Sequence, residues 1–365
     1  METIVKYSVG IDISHKEFMA SIAIIDAEQN TKILSTKKFS NLKPGFKALL
    51  TWVGKLTSKA ANIVFAMEAT GVYFENLAFY LNDHGEKVSV LLPNKVVHYA
   101  KTLHIKSKND TIDSQVIARL AVERNLNLWQ VCSPVLRQLK QLIRERTELI
   151  KEKTQIKNQL HSKQAAHQYS KSSIARNKKR IRFIERQIEN VVDEIDELLN
   201  ADQELLNRVR KIETIKGIGQ LTALTIIAET NGFALIKNRK QLVSFCGYDV
   251  VEKQSGTSLN GRSKISKKGN KFIRKALHYP SLSATRCDDS FKTFYMRINE
   301  RNSSKMVGLV AVQRKLLLLV YALWKSGETY NPKFNTSEDL ETKASFGLSL
   351  KEKKIEQNHL EPALY

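Results

Sequence analysis

A mixed α/β domain, a long helical hairpin and a mainly helical third domain make up the fold class this sequence predicts. Three observations predict it. β-branched, alternating runs are confined to the first 130 residues, residues 135–205 are free of glycine and rich in charge, and helical apolar periodicity dominates beyond them. Val5–Ile13 alternates, and Phe18–Ile25 and Lys32–Phe39 follow after short turns, as successive strands of a meander. A helix near Gly45–Leu56 precedes a fourth strand, Ile63–Met67, and a helix near Val72–Asn82 leads to a fifth, Lys87–Leu92. Thr111–Arg124 sets Ile112, Val116, Ile117, Leu120 and Ala121 at amphipathic helical spacing.

Three antiparallel strands, then strands alternating with helices, is the element order of a ribonuclease-H-like fold, assigned to residues 1–130. Residues 131–205 form the arm. One helix covers about Val135–Leu160, and a second carries Ile181, Ile184, Ile188, Val191, Ile195 and Leu198 at alternating spacings of three and four, the seam of a coiled-coil hairpin. Residues 206–327 read as a predominantly helical domain with a basic, Gly/Ser-containing insertion. The polar tail, 328–365, is expected to be loosely ordered.

The 365 residues carry 59 Lys+Arg against 37 Asp+Glu, a net +22 that points to a polyanionic partner. The charge is clustered: Val135–Arg186 carries +11 and Lys253–Lys275 carries +8. Such clustering favours nucleic acid over a membrane surface. The best membrane candidate, Met306–Trp324, is interrupted by Gln313, Arg314 and Lys315 and reads as a buried helix. Cys132, Cys246 and Cys287 are widely spread and form no CxxC, which excludes a disulfide scaffold and a cysteine-based zinc site. With a strand rather than a leader at the N-terminus, the expected location is the cytoplasm, at the nucleoid.

Four acids stand out in the first domain. Asp12 and Glu68 each close an apolar strand, and Asp110 and Asp113 share one face of a helix's first turn, where the helix N-terminus alone favours them. Converged, four such carboxylates need cations, and hard oxygen ligands select Mg²⁺ or Mn²⁺. Two such ions serve phosphodiester chemistry.

In the third domain, Lys216-Gly217-Ile218-Gly219 between apolar helices resembles a helix-hairpin-helix, whose free amides can face a phosphate. Further on, Ser255, Ser258, Ser263 and Ser266 lie among Arg262, Lys264, Lys267, Lys268, Lys271 and Arg274. Cations of this kind hold phosphates and stabilise the charge that develops when a serine attacks one.

Together, the motifs GIDIS, MEATG and KSKNDTIDSQVIARL, followed by IKGIGQLTALTIIAE, FCGYDVVEKQSG and GRSKISKKGNKFIRKAL, resemble those of DEDD-type insertion-sequence transposases. These are the bridge-RNA-guided recombinases, related to a site-specific invertase. The resemblance spans about residues 5–325. It implies a RuvC-like domain binding Mg²⁺ through Asp12, Glu68, Asp110 and Asp113. It also implies a helical transposase domain whose serine, Ser255 of the Gln-Ser-Gly step, becomes covalently linked to DNA. Ser258, Ser263 and Ser266 remain alternatives. Donor and target duplex DNA, an element-encoded guide RNA and a homo-oligomer are the implied partners. The rival readings are a metal-dependent junction resolvase or nuclease, and a non-catalytic protein that anneals or packages nucleic acid.

Overall fold

The computed structural model describes residues 4–57, 62–69, 71–105, 107, 109–131, 133–168, 170–234, 236–255 and 259–331. Most of the 328–365 tail, from residue 332, lies outside them. Two compact units divide the chain, Met1–Val131 and Cys132–Tyr365.

The first unit opens with three long strands, β1 (Ile4–Ile13), β2 (Glu17–Asp26) and β3 (Thr31–Ser40), then α1 (Lys43–Leu56) and β4 (Ile63–Glu68). There follow α2 (Glu75–Asp83), β5 (Lys87–Leu91), α3 (Pro93–Thr102) and α4 (Asp110–Glu123). The sheet order is β3-β2-β1-β4-β5. β1 runs antiparallel to β2 and β2 to β3, whereas β4 lies parallel to both β1 and β5. This is the ribonuclease-H-like arrangement expected from the element order.

Strand alternation sorts the two faces. Val9, Ile11 and Ile13 of β1 pack with Phe46 and Leu49 of α1 and with Leu77 and Leu81 of α2. The even residues turn to α4. Lys6 Nζ donates to Ala121 O at 2.6 Å and Arg124 O at 2.9 Å, so an ammonium occupies the electronegative end of that helix. Ser8 Oγ donates to Ala118 O at 2.7 Å. At Gly10 the backbones meet: a Cβ there would lie 2.1 Å from Ala118 N and 2.3 Å from Ser114 O.

In the second unit, α5 (Pro134–Ala165) and α6 (Lys171–Ala201) form an antiparallel helical hairpin. Ile156, Ile181 and Ile184 make its own small core, and Lys163 Nζ reaches Ser173 Oγ near the tip. At 1.5 Å per residue α5 is about 48 Å long. The base of the arm is not a detached spacer. Leu139, Leu142, Ile143, Val191, Ile195 and Leu199 join the main core of the unit.

That core is built with α7 (Gln203–Glu213), α8 (Gln220–Glu229) and α9 (Arg239–Cys246), then α10 (Lys271–Ala276), α11 (His278–Cys287), α12 (Asp289–Glu300) and α13 (Lys305–Ser326). Between α9 and α10 the basic insertion forms a two-stranded hairpin, β6 (Val250–Ser255) and β7 (Leu259–Ile265), which the sequence pattern does not announce. α13 is long and apolar enough to cross a membrane. Its interrupting polar residues are used within the protein, however. Gln313 is buried and accepts from Tyr248 Oη at 3.0 Å, and Lys315 lies over the Phe291 and Phe294 rings.

Backbone-on-backbone contact at Gly10 leaves no flexible side chain to yield. Gly10→Ala is expected to destabilise the protein by about 1–3 kcal/mol, the usual cost of overpacking. Urea unfolding with an unchanged m-value checks it, and a variant as stable as the parent would contradict the contact.

Candidate active site

The contact at Gly10 fixes where the acids of the first unit lie. α4 runs antiparallel to β1, from Arg124 beside Lys6 to Ser114 beside Gly10. Its first turn, with Asp110 and Asp113, is therefore carried toward Asp12 at the end of the strand. Ile11 is in register with Met67, so Asp12 and Glu68 are the next residues on adjacent parallel strands, about 4.8 Å apart in backbone spacing. Asp12 shares the sheet face of Gly10, and Glu68 shares that of Ala66, which packs with Val116 and Ile117 of α4. Asp12 and Asp110 line one small cavity of about 40 Å³ together with Ser14, Glu17, Met19 and Lys38. Asn109 caps the helix by accepting from Ile112 N at 2.8 Å.

All four acids thus belong to one sheet face and the helix covering it. They are not gathered into a ligand cage. Among the described residues no three carboxylate, imidazole or thiol side chains stand close enough to hold a metal.

Lys38 is a cation of this site that sequence reasoning missed. Asp12 pairs with Met19 and Met19 with Lys38, so one row across three strands carries both charges. Lys38 Nζ contacts Glu17 Oε1 at 2.6 Å. The exposure of Lys38 in β3 hid it from the sequence pattern.

In the second unit, Ser255 ends β6 and pairs with Leu259 of β7. The side chains of Ser255, Ser263 and Arg262, and all of Ser258, lie outside the described residues. Ser266 has a defined role at the hairpin root. Its hydroxyl contacts Asp249 Oδ1 at 2.7 Å and accepts from Lys268 N. The root is closed further by Lys267 N to Gly247 O and Asn270 N to Phe245 O. Arg274, expected to face nucleic acid, directs Nη1 inward to Cys246 O at 2.7 Å and Asn270 O at 3.3 Å.

Lys264, Lys267, Lys268 and Lys271 are exposed, as is Lys216. Gly217 adopts φ +97°, and a Cβ there would meet Pro280 O at 2.7 Å and Ala284 N at 3.0 Å. Packing of the α7–α8 turn on α11 therefore accounts for this glycine. Gly219 caps α8 and is open to solvent.

Comparison with known proteins bears on both units. A DEDD-type transposase model of the IS110 kind matches residues 9–164, and a second, described as transposase IS116/IS110/IS902 family, matches residues 209–296. The chain belongs to this family of DEDD transposases. Family members are DNA-modifying enzymes, and DNA is their partner. The pilin gene-inverting proteins of Moraxella bovis and Moraxella lacunata are each 29% identical over 331 residues, covering 90% of this chain and 99% of theirs. An IS110 insertion-element protein of Streptomyces coelicolor is 21% identical over 129 residues, 35% of this chain and 32% of its own. Among solved structures, Thermus thermophilus RuvC aligns over 34% of this chain and 99% of its own, with a TM-score of 0.26 and 12% identity.

Within the transposase's second unit, one buried acid organises the hairpin root. Glu229, at the end of α8, is 5% exposed. Arg144 of α5 grips it with Nε at 2.7 Å and Nη2 at 2.9 Å, and Lys140 lies 3.9 Å away. Asn270 Nδ2 donates to the same carboxylate at 2.7 Å, while its Oδ1 caps α10. The arm, the core and the chain leaving β7 are thereby tied at one side chain. Glu229 closes the IKGIGQLTALTIIAE motif, but nothing in the sequence supplies its partners.

Removing the guanidinium takes the paired charge from a buried carboxylate and leaves it to Asn270 and the more distant Lys140, whereas removing both charges leaves no such imbalance. Arg144→Met should cost about 3 kcal/mol, and Glu229→Gln added to it should recover part of that loss. A double-mutant cycle in urea measures the coupling, and strict additivity would show that the pair is not coupled.

Proposed function

We propose that this transposase cuts, exchanges and rejoins DNA strands through a serine–DNA link, with the carboxylates of the first unit supporting the chemistry. One observation carries the reading: Asp12 and Asp110 line a single cavity, with Glu68 on the adjacent strand end and Asp113 in the same helical turn as Asp110. Gene inversion, the activity named for the Moraxella relatives, is a strand exchange of the same class.

The donor set suits a hard divalent cation, since all four side chains offer carboxylate oxygen. Asp12, Glu68, Asp110 and Asp113 would hold Mg²⁺, with Mn²⁺ a substitute. When bound, the metal supplies activation of an attacking oxygen and stabilisation of a leaving one. Asp12 and Glu68 offer oxygens from the rigid sheet, and Asp110 and Asp113 offer them from the turn held over it. The exposed Lys264, Lys267, Lys268 and Lys271, with Lys216, hold phosphates near the hairpin. Ser255 Oγ attacks the scissile phosphorus: the Oγ–P bond forms as the bond to the leaving sugar oxygen breaks, and that oxygen takes a proton. Attack by the incoming strand's hydroxyl reverses the step and releases the serine. In this division of labour residues 1–130 support catalysis, 131–205 form a coiled-coil arm and 206–327 present the nucleophile. An element-encoded RNA pairs with donor and target DNA, and two or more copies assemble at the junction in the bacterial cytoplasm.

Incubation with donor DNA and Mg²⁺ should yield a covalent protein–DNA adduct that maps to the Gln254–Gly256 peptide. Ser255→Ala should abolish it, and an undiminished adduct would refute the assignment. Asp12→Ala and Glu68→Ala should lower recombination at least 100-fold with DNA affinity retained. Unchanged recombination would make the carboxylates incidental, and free cleaved ends without exchange would favour the nuclease. Sequencing of RNA co-purified with the protein should return one discrete structured species, and only heterogeneous fragments would count against a guide.

A further inference from the structure

Phe183 of α6 is 60% exposed, a large ring left in water on an otherwise amphipathic helix. It does not belong to the seam of the arm. Ile181 and Ile184 on either side are buried against α5, so the hairpin is closed without it. Its helix-surface neighbours, three and four residues away, are Lys179, Arg180, Arg186 and Gln187. Three of the four are exposed or largely exposed cations, and none is an acid. Leu149 and Glu152 of α5 complete a groove of about 430 Å³ with Lys179, Arg180, Phe183 and Ile184. The one acid on its wall, Glu152, stands 3.6 Å from Arg180, and both side chains are at least half exposed. An exposed pair of this kind is weak and releases its arginine at little cost.

We infer that Phe183 is a stacking platform for an unpaired nucleobase, so that this groove of the arm takes a single-stranded stretch of nucleic acid. The inference deepens the nucleic-acid role proposed above and rests on it. Charge selects the occupant. A second copy of the arm would bring three cations against three cations, and an apolar protein face would desolvate all of them to cover one ring. A single strand presents what the groove lacks: a flat π-face for the ring and phosphates for the flanking lysine and arginines. A duplex cannot do the same, because its bases are already stacked on one another. Stacking is tolerant of sequence, so the groove would hold a strand in place without reading it. Unpaired RNA and single-stranded DNA share this chemistry, and the experiment includes both.

The full-length protein is titrated with labelled 15-nucleotide oligo(rA) and oligo(dA) and with a 20-base-pair duplex. Phe183→Ala and Phe183→Leu should each weaken single-strand binding about tenfold, the size expected for one stacked base. The salt dependence should be unchanged, because no cation is lost, and duplex affinity should move less than twofold. Phe183→Trp should bind as the parent does, with its added fluorescence quenched by the oligonucleotide. A stronger effect on oligo(rA) than on oligo(dA) assigns the groove to RNA, and the reverse assigns it to DNA. Because the ring is exposed and off the seam, these variants are expected to fold, which circular dichroism checks.

Unchanged single-strand affinity in Phe183→Ala overturns the inference, and parent-like binding by Phe183→Leu does so as well, since apolar bulk would then suffice. A shift in sedimentation with oligonucleotide binding intact would instead make the face a protein contact. Failure of the parent to bind any nucleic acid would sink the broader reading and this one together. Retained duplex binding with an inert Phe183 sinks only this one.

Discussion

The approach of α4 to β1 is the constraint from which the candidate site follows. A helix ordinarily rests on a sheet through side chains, but at Gly10 it rests on the peptide backbone, with Ser114 O and Ala118 N where a Cβ would be. Ser8 and Lys6 extend the same line by donating to Ala118 O and Ala121 O. The even residues of β1 therefore form a graded track: an ammonium at the helix C-terminus, a hydroxyl, no side chain at all, and finally Asp12. That grading fixes both the depth of α4 and its direction, and the direction decides that its acidic first turn reaches Asp12.

Magnitudes indicate why such an arrangement is not a stabilising one in its own right. Carboxylates brought to about 5 Å would repel by about 3 kcal/mol at an effective dielectric near 20, a cost that arises only if these side chains converge. The helix N-terminus returns about 0.3–1 kcal/mol to an acid placed there. The dipole therefore explains Asp110 or Asp113 singly, but not the pair together with Asp12 and Glu68 on the adjacent strand ends. The second unit solves the opposite problem. Glu229 is one buried acid among cations, and its satisfied hydrogen bonds let it bind three elements at once.

How much of this was legible in the sequence differs by segment. The five strands of the first unit were readable because each is bounded by a turn and carries β-branched residues that the core selects. Asp12 and Glu68 were readable for the same reason, as charges that interrupt an apolar pattern. α3 was missed although Val96, Tyr99, Ala100 and Leu103 keep a helical period, because it is short and Val96 is its one fully buried residue. Lys38 and Glu229 were missed because their significance is a matter of neighbours. A lysine in an exposed strand and a glutamate ending a helix have ordinary explanations until register or packing supplies the partner.

The β6–β7 hairpin was missed for a different reason. Periodicity records burial against the protein's own core, and a segment contributes to that record only in proportion to what it buries there. Among the described side chains of this hairpin, Ile265 packs against the core, above the closed root. Its charges, by contrast, have no counterpart within the segment, since no acid occurs between Lys253 and Lys275. A surface whose composition is set by an external polyanion shows charge density without periodicity. The same holds around Phe183, where the buried seam is plain and the exposed ring falls outside it. Segments that answer to a partner are thus the ones where sequence pattern is least informative about fold and charge is most informative about function.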